Sequence, residues 1–218
     1  MTRHSRYFAQ VRLRLLAVTV ALLAGVAGIS PAALADTQTA RTWAGAAQLA
    51  GPDGSLWQPT YSAGLKRSGP IDVVQDTYDD GTKAMSVGAS YGDNTRGFSI
   101  LQTYDGYAPA LDASPDRSAA PVGRFTIRLG DPDTSIPIRV RIDANCWEPD
   151  YTPNPTPPPK GFRCSKADVK KYGATLTMTA KPPSTMTAPG TTDITIQSQG
   201  ISFKQLMRIA SNLQQIMG

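Results

Sequence analysis

The sequence has very little histidine and very little glutamate. His4 is the only histidine, and Glu148 is the only glutamate beside sixteen aspartates. His4 lies in a predicted export signal, so we expect no histidine in the mature protein. That excludes nucleophile pairs with a histidine base and metal sites with histidine ligands. Charged residues make up only 18% of the chain, which excludes a highly charged disordered protein.

Proline and glycine are plentiful, with eighteen and nineteen residues. Together with aspartate, which favours turns and caps over helix interiors, they predict short strands joined by many turns.

The one long apolar run, Leu15 to Ile29, is shorter than the roughly 20 residues that a bilayer span needs. Four arginines precede it, Pro31 follows it, and Ala33-Leu34-Ala35 supplies the small residues that a signal peptidase reads. We therefore expect residues 1–35 to be a cleaved secretory signal peptide, with an uncleaved membrane anchor as the alternative. Residues 36–218 would form a single secreted, extracellular domain with no transmembrane segment.

Signal cleavage would also change the charge balance. Four of the 22 basic residues lie in the signal, which leaves eighteen against 17 acidic residues. A mature net charge of about +1 does not favour a nucleic-acid partner.

Cys146 and Cys164 are the only cysteines, and an exported protein meets an oxidising environment. They predict one disulfide rather than two free thiols. The loop between them, 146–164, is rich in proline and carries the aromatic residues Trp147, Tyr151 and Phe162. Aromatic side chains on a stiff loop can form a contact surface for a ligand, or they can fold back onto the protein as a surface flap.

Alternating apolar residues indicate strands. The candidates are Ile71–Tyr78, Lys83–Tyr91, Gly97–Tyr104, Arg124–Leu129, Ile138–Ile142, and segments around Leu176–Ala180 and Ile194–Ile196. Periodicity predicts a short helix over 38–50, a loop over 51–69 and a C-terminal helix from a capping box at Ser202 and Gln205 to Met217. The fold class is α+β: a curved antiparallel sheet of six to eight strands, with an N-terminal and a C-terminal helix packed on one face.

Arginines occupy the polar face of two of these strands. If 124–129 and 138–142 pair with their apolar faces together, arginines lie side by side in every register: Arg128 opposite Arg139, Arg128 opposite Arg141, or Arg124 opposite Arg141. Like charges in that position are destabilising. The arrangement predicts either an anion site, for a phosphate headgroup, wall polymer or acidic protein patch, or a solvated face neutralised by Asp131, Asp133 and Asp143.

Three catalytic or metal-binding motifs have simpler explanations. Gly88–Gly92 matches the G-x-S-x-G nucleophile elbow but enters a turn instead of a helix. Asp131–Ser135 resembles the start of a calcium loop but lacks its glycine and glutamate. Asp79 and Asp80 could be read as the paired carboxylates of a glycosidase. Such a pair faces each other across the substrate, whereas adjacent strand residues point to opposite faces, so a turn before Gly81 explains them more simply. We expect no catalytic residues, no metal and no cofactor.

Several segments together resemble a known group of proteins. They are Leu56–Tyr61, Val73–Gly81, Phe98–Gln102, Asp193–Ile196 and Gly200–Ala210. In this order they resemble the extracytoplasmic domains that accompany bacterial anti-sigma factors and, more distantly, lipoprotein-carrier proteins. The resemblance implies a curved sheet with helices on its concave side and an apolar cavity lined by Ile127, Met178, Phe203 and Met207.

The sequence therefore predicts a non-enzymatic binding domain of the bacterial envelope or exterior. Its partner would be a lipid or other amphiphile, or an anionic envelope component. The alternative is a structural or interaction protein that docks on the cell wall or another protein through the arginine face or the Pro-rich loop.

Overall fold

The computed structural model describes residues 35–51, 55–77, 83–104, 119–129, 135–147, 158–180 and 191–216. Residues 1–34 of the predicted signal peptide, Tyr151, the pair Asp79 and Asp80, and residues 131–134 lie outside these ranges. The described residues form ten strands and three helices. In chain order these are β1 (Ala35–Ala40), α1 (Trp43–Ala50), β2 (Leu56–Pro59), β3 (Ile71–Thr77), β4 (Lys83–Gly92), β5 (Gly97–Tyr104), β6 (Ala120–Leu129), β7 (Ile136–Ala144), α2 (Asp168–Tyr172), β8 (Ala174–Ala180), β9 (Thr192–Gln199), α3 (Phe203–Ser211) and β10 (Leu213–Ile216).

Eight strands form the main sheet, in the order β1-β3-β4-β5-β9-β8-β7-β6. Every neighbouring pair in it is antiparallel. The sheet ends at β1 and β6, which do not pair with each other, so it is not a closed barrel. β2 and β10 form a separate two-stranded antiparallel sheet, here called the small sheet. The predicted fold class is confirmed.

Both longer helices lie on the same side of the main sheet, here called the inner face. On one half, the indole nitrogen of Trp43 in α1 donates to the Tyr91 hydroxyl of β4 at 2.9 Å. On the other half, Phe203 of α3 meets the ring of Phe125 on β6 edge-on, with the ring centroids 5.0 Å apart. The apolar side chains of the strands are buried between these helices and the sheet in one continuous core.

The N-terminal segment differs from its prediction. Residues 35–40 pair with β3 as an edge strand, and the helix predicted over 38–50 begins only at Trp43. Thr42 caps this helix by accepting a hydrogen bond from the Gly45 amide at 3.0 Å. Residues 37–40, Thr-Gln-Thr-Ala, carry two β-branched side chains that favour extended backbone over helix.

The C-terminal segment also differs. The capping box of Ser202 and Gln205 is present, but α3 ends at Ser211 instead of continuing to Met217. Asn212 closes the helix, because its side-chain amide donates to the Arg208 carbonyl at 2.8 Å. The chain then enters β10, which pairs with β2, so part of the loop predicted over 51–69 is also a strand.

The β4–β5 turn has a specific backbone requirement. Gly92 adopts φ +81°, and a Cβ atom on it would collide with the Arg96 carbonyl oxygen. Asp93 fills the turn: its carboxylate accepts from the Thr95 amide at 2.8 Å and the Arg96 amide at 3.0 Å. A hydrogen bond from the Thr95 hydroxyl, together with those from the two amides, lowers the pKa of Asp93 to about 2.

We predict that Gly92→Ala lowers the free energy of unfolding by about 1–3 kcal/mol or more. The new methyl group would occupy a residue with positive φ and would collide with backbone atoms. Gly69→Ala is the matched control, since a Cβ atom there has no neighbour within 4 Å. Urea unfolding of both variants measures the difference. Equal stabilities for the two variants would show that the turn relaxes to accept a side chain.

Candidate functional site

The four residues predicted to line a cavity belong to one apolar cluster on the inner face. Ile127 and Met178 are buried in the core, and Phe203 and Met207 of α3 are half-buried against it. The ammonium group of Lys166 lies 4.9 Å from the ring centroid of Phe203. All four therefore belong to the core, and Phe203 contacts Phe125, which lies two residues from Ile127 on the same face of β6.

A second group on the inner face was not predicted. It lies between β5, β9 and the small sheet, and its members are buried polar or part-polar residues: Ser55, Trp57, Gln102, Tyr104 and Thr192. We call it the polar junction. Buried polar groups in folded proteins normally have hydrogen-bond partners.

Gln102 connects the two sheets. Its side chain is fully buried. The side-chain amide pairs with the backbone of β2 as the backbone of a neighbouring strand would. The side-chain oxygen accepts from the Trp57 amide at 2.8 Å, and the side-chain nitrogen donates to the Trp57 carbonyl at 2.7 Å. Both backbone groups of Trp57 are thereby satisfied without a strand ladder between the two sheets.

Ser55 is the second connection. Thr192 of β9 donates its hydroxyl proton to the Ser55 carbonyl at 2.8 Å. The Gln215 side chain of β10 donates to the Ser55 hydroxyl oxygen at 2.9 Å. Side chains, and not a continuous ladder, therefore hold the small sheet against the main sheet.

Two members of the polar junction lack partners. Among the described residues, neither the indole nitrogen of Trp57 nor the hydroxyl of Tyr104 has a hydrogen-bond partner. Trp57 is 3% exposed and Tyr104 is 6% exposed. Tyr104 lies two residues from Gln102 on the same face of β5, about 7 Å along the strand. The polar junction thus contains two buried proton donors without acceptors among the described residues.

The sequence contains one indication of the polar junction. Gln102 and Tyr104 continue the alternation of Phe98 and Ile100, so all four lie on the inner face of β5. A glutamine in register with buried apolar residues is the clue that was missed. Its partner could not be found in that way, because β2 is only four residues long and does not alternate clearly.

The predicted arginine face lies on the opposite side of the main sheet, here called the outer face. Arg124 is directly opposite Arg141, Arg139 is opposite Thr126, and Arg128 is opposite Pro137. The two registers that placed Arg128 beside Arg139 or Arg141 are wrong. A bulge between Pro121 and Gly123 adds one residue to β6, while Ile127 and Ile138 still share the inner face.

The four arginines are neutralised unequally. Arg141 forms an ion pair with Asp143 at 2.8 Å, and Arg128 donates to the Ser135 hydroxyl at 3.2 Å. No hydrogen bond or ion pair joins Arg124 or Arg139 to another described residue. The predicted neutralisation therefore holds for Arg141; Asp131 and Asp133 lie outside the described residues.

The disulfide segment packs against the edge of the main sheet. Cys146 and Cys164 form the predicted disulfide, with Cα atoms 5.9 Å apart. Trp147 and Phe162 meet edge-on at 5.0 Å, and Phe162 packs against the core. The Cys164 amide donates to the Pro121 carbonyl of β6 at 3.2 Å. This arrangement fits the flap interpretation for Phe162.

The residues of the G-x-S-x-G motif have ordinary structural positions. Ser90 lies in β4 opposite Ser99 of β5, and the chain then turns at Gly92. Among the residues that the structure describes, no group of three or more histidine, cysteine or acidic side chains could hold a metal ion. None of the described helices is long and apolar enough to cross a membrane.

No protein-family model, curated protein or solved structure matches this chain. The resemblance to anti-sigma-associated domains and lipoprotein carriers therefore stays a prediction from residue patterns.

The unpaired hydroxyl of Tyr104 has a measurable consequence at alkaline pH. Burial raises the pKa of this hydroxyl above its usual value of about 10. The folded protein keeps the proton at a pH where the unfolded chain loses it. The difference in proton binding therefore leaves the free energy of unfolding unchanged below about pH 10 and lowers it as the pH rises further.

We therefore predict that the wild-type protein loses more unfolding free energy between pH 8 and pH 11 than Tyr104→Phe does. Urea unfolding at both pH values gives the comparison. Burial also raises the pKa of Tyr91, which contributes to the pH dependence that remains in the variant. Identical losses in the two proteins would mean that the Tyr104 hydroxyl is solvated.

Proposed function

We propose that this protein is a non-enzymatic binding protein of the bacterial envelope or exterior that takes an amphiphile on the inner face of its main sheet. The observation that carries the proposal is the pair of buried donors, the Trp57 indole nitrogen and the Tyr104 hydroxyl, that lack acceptors. An amphiphile whose head carries acceptor oxygens, such as a carboxylate or an ester, would supply those acceptors.

The energetics favour such a ligand. A buried donor without a partner costs about 1–3 kcal/mol, and an acceptor that arrives with the ligand removes this cost. The surroundings suit an apolar tail, because Leu56, Ile100 and Ile194 are buried in the same core. The polar head of the ligand would thus contact Trp57 and Tyr104, and its apolar tail would contact the surrounding core side chains.

The attachment of the small sheet supports a route for entry. It is joined to the main sheet through the side chains of Gln102 and Thr192 and does not continue its ladder. Moving it aside would break few hydrogen bonds, whereas separating two strands of the main sheet would break a whole ladder. Ligand entry beneath the small sheet would therefore break fewer hydrogen bonds than entry between strands of the main sheet, and it would expose the buried side chains of Leu56, Trp57 and Leu213.

The titratable groups of the described residues favour binding over catalysis. The three aspartates with shifted pKa values lie on separate elements: Asp72 on β3, Asp93 in the β4–β5 turn and Asp168 on α2. Hydrogen bonds that Ser165 donates to its carboxylate lower the pKa of Asp168. Hydrogen bonds from Thr95 and Arg96 within the turn lower the pKa of Asp93. A general acid and base would instead converge on one cleft.

Palmitate tests the proposal, with hexadecyltrimethylammonium as a probe that has the same tail length but no acceptor. After solvent extraction, we expect the wild-type protein to bind palmitate more tightly than the ammonium compound. Native mass spectrometry before extraction should show an additional mass that extraction removes. Failure to bind palmitate, together with a bare protein before extraction, would contradict the proposal.

Tyr104→Phe provides the sharpest variant. We predict at least about fivefold weaker palmitate binding, because a hydrogen bond to the ligand is lost, with unchanged or higher stability of the empty protein. Titration calorimetry and urea unfolding measure the two effects. Trp57→Phe should behave in the same direction.

Tyr91→Phe is the matched control. The Tyr91 hydroxyl accepts a hydrogen bond from Trp43, so its removal should destabilise the empty protein and leave palmitate affinity unchanged. If Tyr104→Phe instead destabilises the empty protein as much as Tyr91→Phe, the Tyr104 hydroxyl is already paired in solution and the proposed site is wrong.

A further inference from the structure

The last two strands of the main sheet, β7 and β6, carry an exposed basic strip on their outer face. Side chains on this face of the strand pair alternate with the buried apolar ones of the inner face. We call the strip the arginine strip. Its members are exposed residues: Arg124, Thr126, Arg128, Pro137 and Arg139.

The arginine strip is open, although the centre of the outer face is not. Thr103 of β5 and Thr195 of β9 are only 3% and 5% exposed. β8 lies between β9 and the two strands of the strip. A ligand that lies along the strip therefore needs no contact with the buried centre of the face.

Two arginines of the strip have no anionic partner. Arg141, the cross-strand neighbour of Arg124, already forms an ion pair with Asp143 at 2.8 Å. The side chains of Arg124 and Arg139 form no hydrogen bond or ion pair with another described residue. With four arginines and one aspartate, β6 and β7 together carry a net charge of +3. The strand pair therefore attracts anions.

Arg124 also destabilises the empty protein. It lies directly opposite Arg141, and like charges in that position weaken an antiparallel pair. A threonine at this exposed strand position would remove the repulsion and would suit a strand well. A bound anion would reduce the same repulsion, so binding explains this arginine better than folding does.

The arginines of the strip are regularly spaced. Arg139 lies opposite Thr126, so it is diagonal to both Arg124 and Arg128 across the strand pair. A rise of about 3.4 Å per residue and a strand spacing of about 4.8 Å place successive arginines about 8 Å apart. The three form a zigzag about 14 Å long. A chain of glycerol phosphate units, with a three-carbon linker between its phosphates, has a similar spacing when extended.

We infer that the arginine strip binds a phosphodiester polymer, a linear chain of polyol phosphate units. Successive phosphates would contact Arg124, Arg139 and Arg128, because guanidinium groups are permanently charged and donate paired hydrogen bonds to phosphate oxygens. The exposed hydroxyl of Thr126 can donate to the phosphate that Arg139 holds. Each contact at an exposed site is weak, but a polymer makes several contacts at once.

The composition of the strip favours a hydrophilic polymer over other anionic partners. The strip contains no aromatic and no large aliphatic side chain. Protein interfaces and membrane-bound helices depend on such side chains for much of their binding energy. Single-stranded nucleic acids stack their bases on aromatic rings. A polymer recognised only through its phosphates needs none of these contacts.

Arg124→Thr and Arg139→Thr test the inference, with a short poly(glycerol phosphate) chain as the probe. Titration calorimetry at low salt, where exposed charges are least screened, should show about threefold weaker binding for each variant and about tenfold weaker binding for the double variant. Urea unfolding should show that Arg124→Thr is more stable than the wild-type protein, because the repulsion from Arg141 is gone.

The matched control is the double variant Lys170→Thr/Lys204→Thr. Both lysines are exposed on helices outside the strip, so this variant loses the same charge as the double arginine variant. It should bind the polymer with nearly wild-type affinity. Equal losses in the two double variants would show that only the net charge of the protein matters, and the site would be wrong.

Further results would also overturn the inference. One is a wild-type protein that does not bind the polymer at low salt. Another is glycerol 3-phosphate binding as tightly as the polymer, which would make the ligand a single phosphate group. A third is tighter binding to phosphatidylglycerol vesicles, which would make it a membrane surface. Polymer binding on the outer face is independent of the amphiphile site, so Tyr104→Phe should leave it unchanged.

Discussion

One register across eight strands determines which side chains share each face of the main sheet. The row Ile100, Ile196, Leu176 and Ile142 crosses four neighbouring strands on the inner face, and each of these side chains is buried. A slip of one residue in any pairing would turn a whole strand over and expose its apolar set. The same constraint fixes the outer face, because successive residues of a strand alternate between the two sides.

β5 illustrates how this constraint separates two kinds of chemistry. Gln102 and Tyr104 face inward and belong to the polar junction, while Leu101 and Thr103 face outward. The ligand proposed for the inner face would therefore contact only one side of this strand.

Alternation was sufficient to predict most of the sheet, since it is a local property of five to ten residues. It also predicted that arginines would be neighbours, but it could not select Arg124 opposite Arg141 from the three registers that keep the apolar faces together. The small sheet could not be predicted in this way. β2 and β10 have four residues each and pair across more than 150 positions of sequence, so neither carries a local signal. Asn212 offered one local clue, because asparagine commonly ends a helix.

The residues that carry the proposed function are among those that break the local rules of the fold. Phenylalanine at position 104 would preserve the shape of the core and remove an unpaired hydroxyl, and threonine at position 124 would remove the repulsion from Arg141. Each change is small, and total stability is only about 5–15 kcal/mol, so a cost near 1 kcal/mol at each position is a substantial part of it. Departures from consistency between sequence and fold are expected at functional positions. A ligand acceptor would relieve the departure on the inner face, so the physical argument leads from the buried Tyr104 hydroxyl to its missing partner.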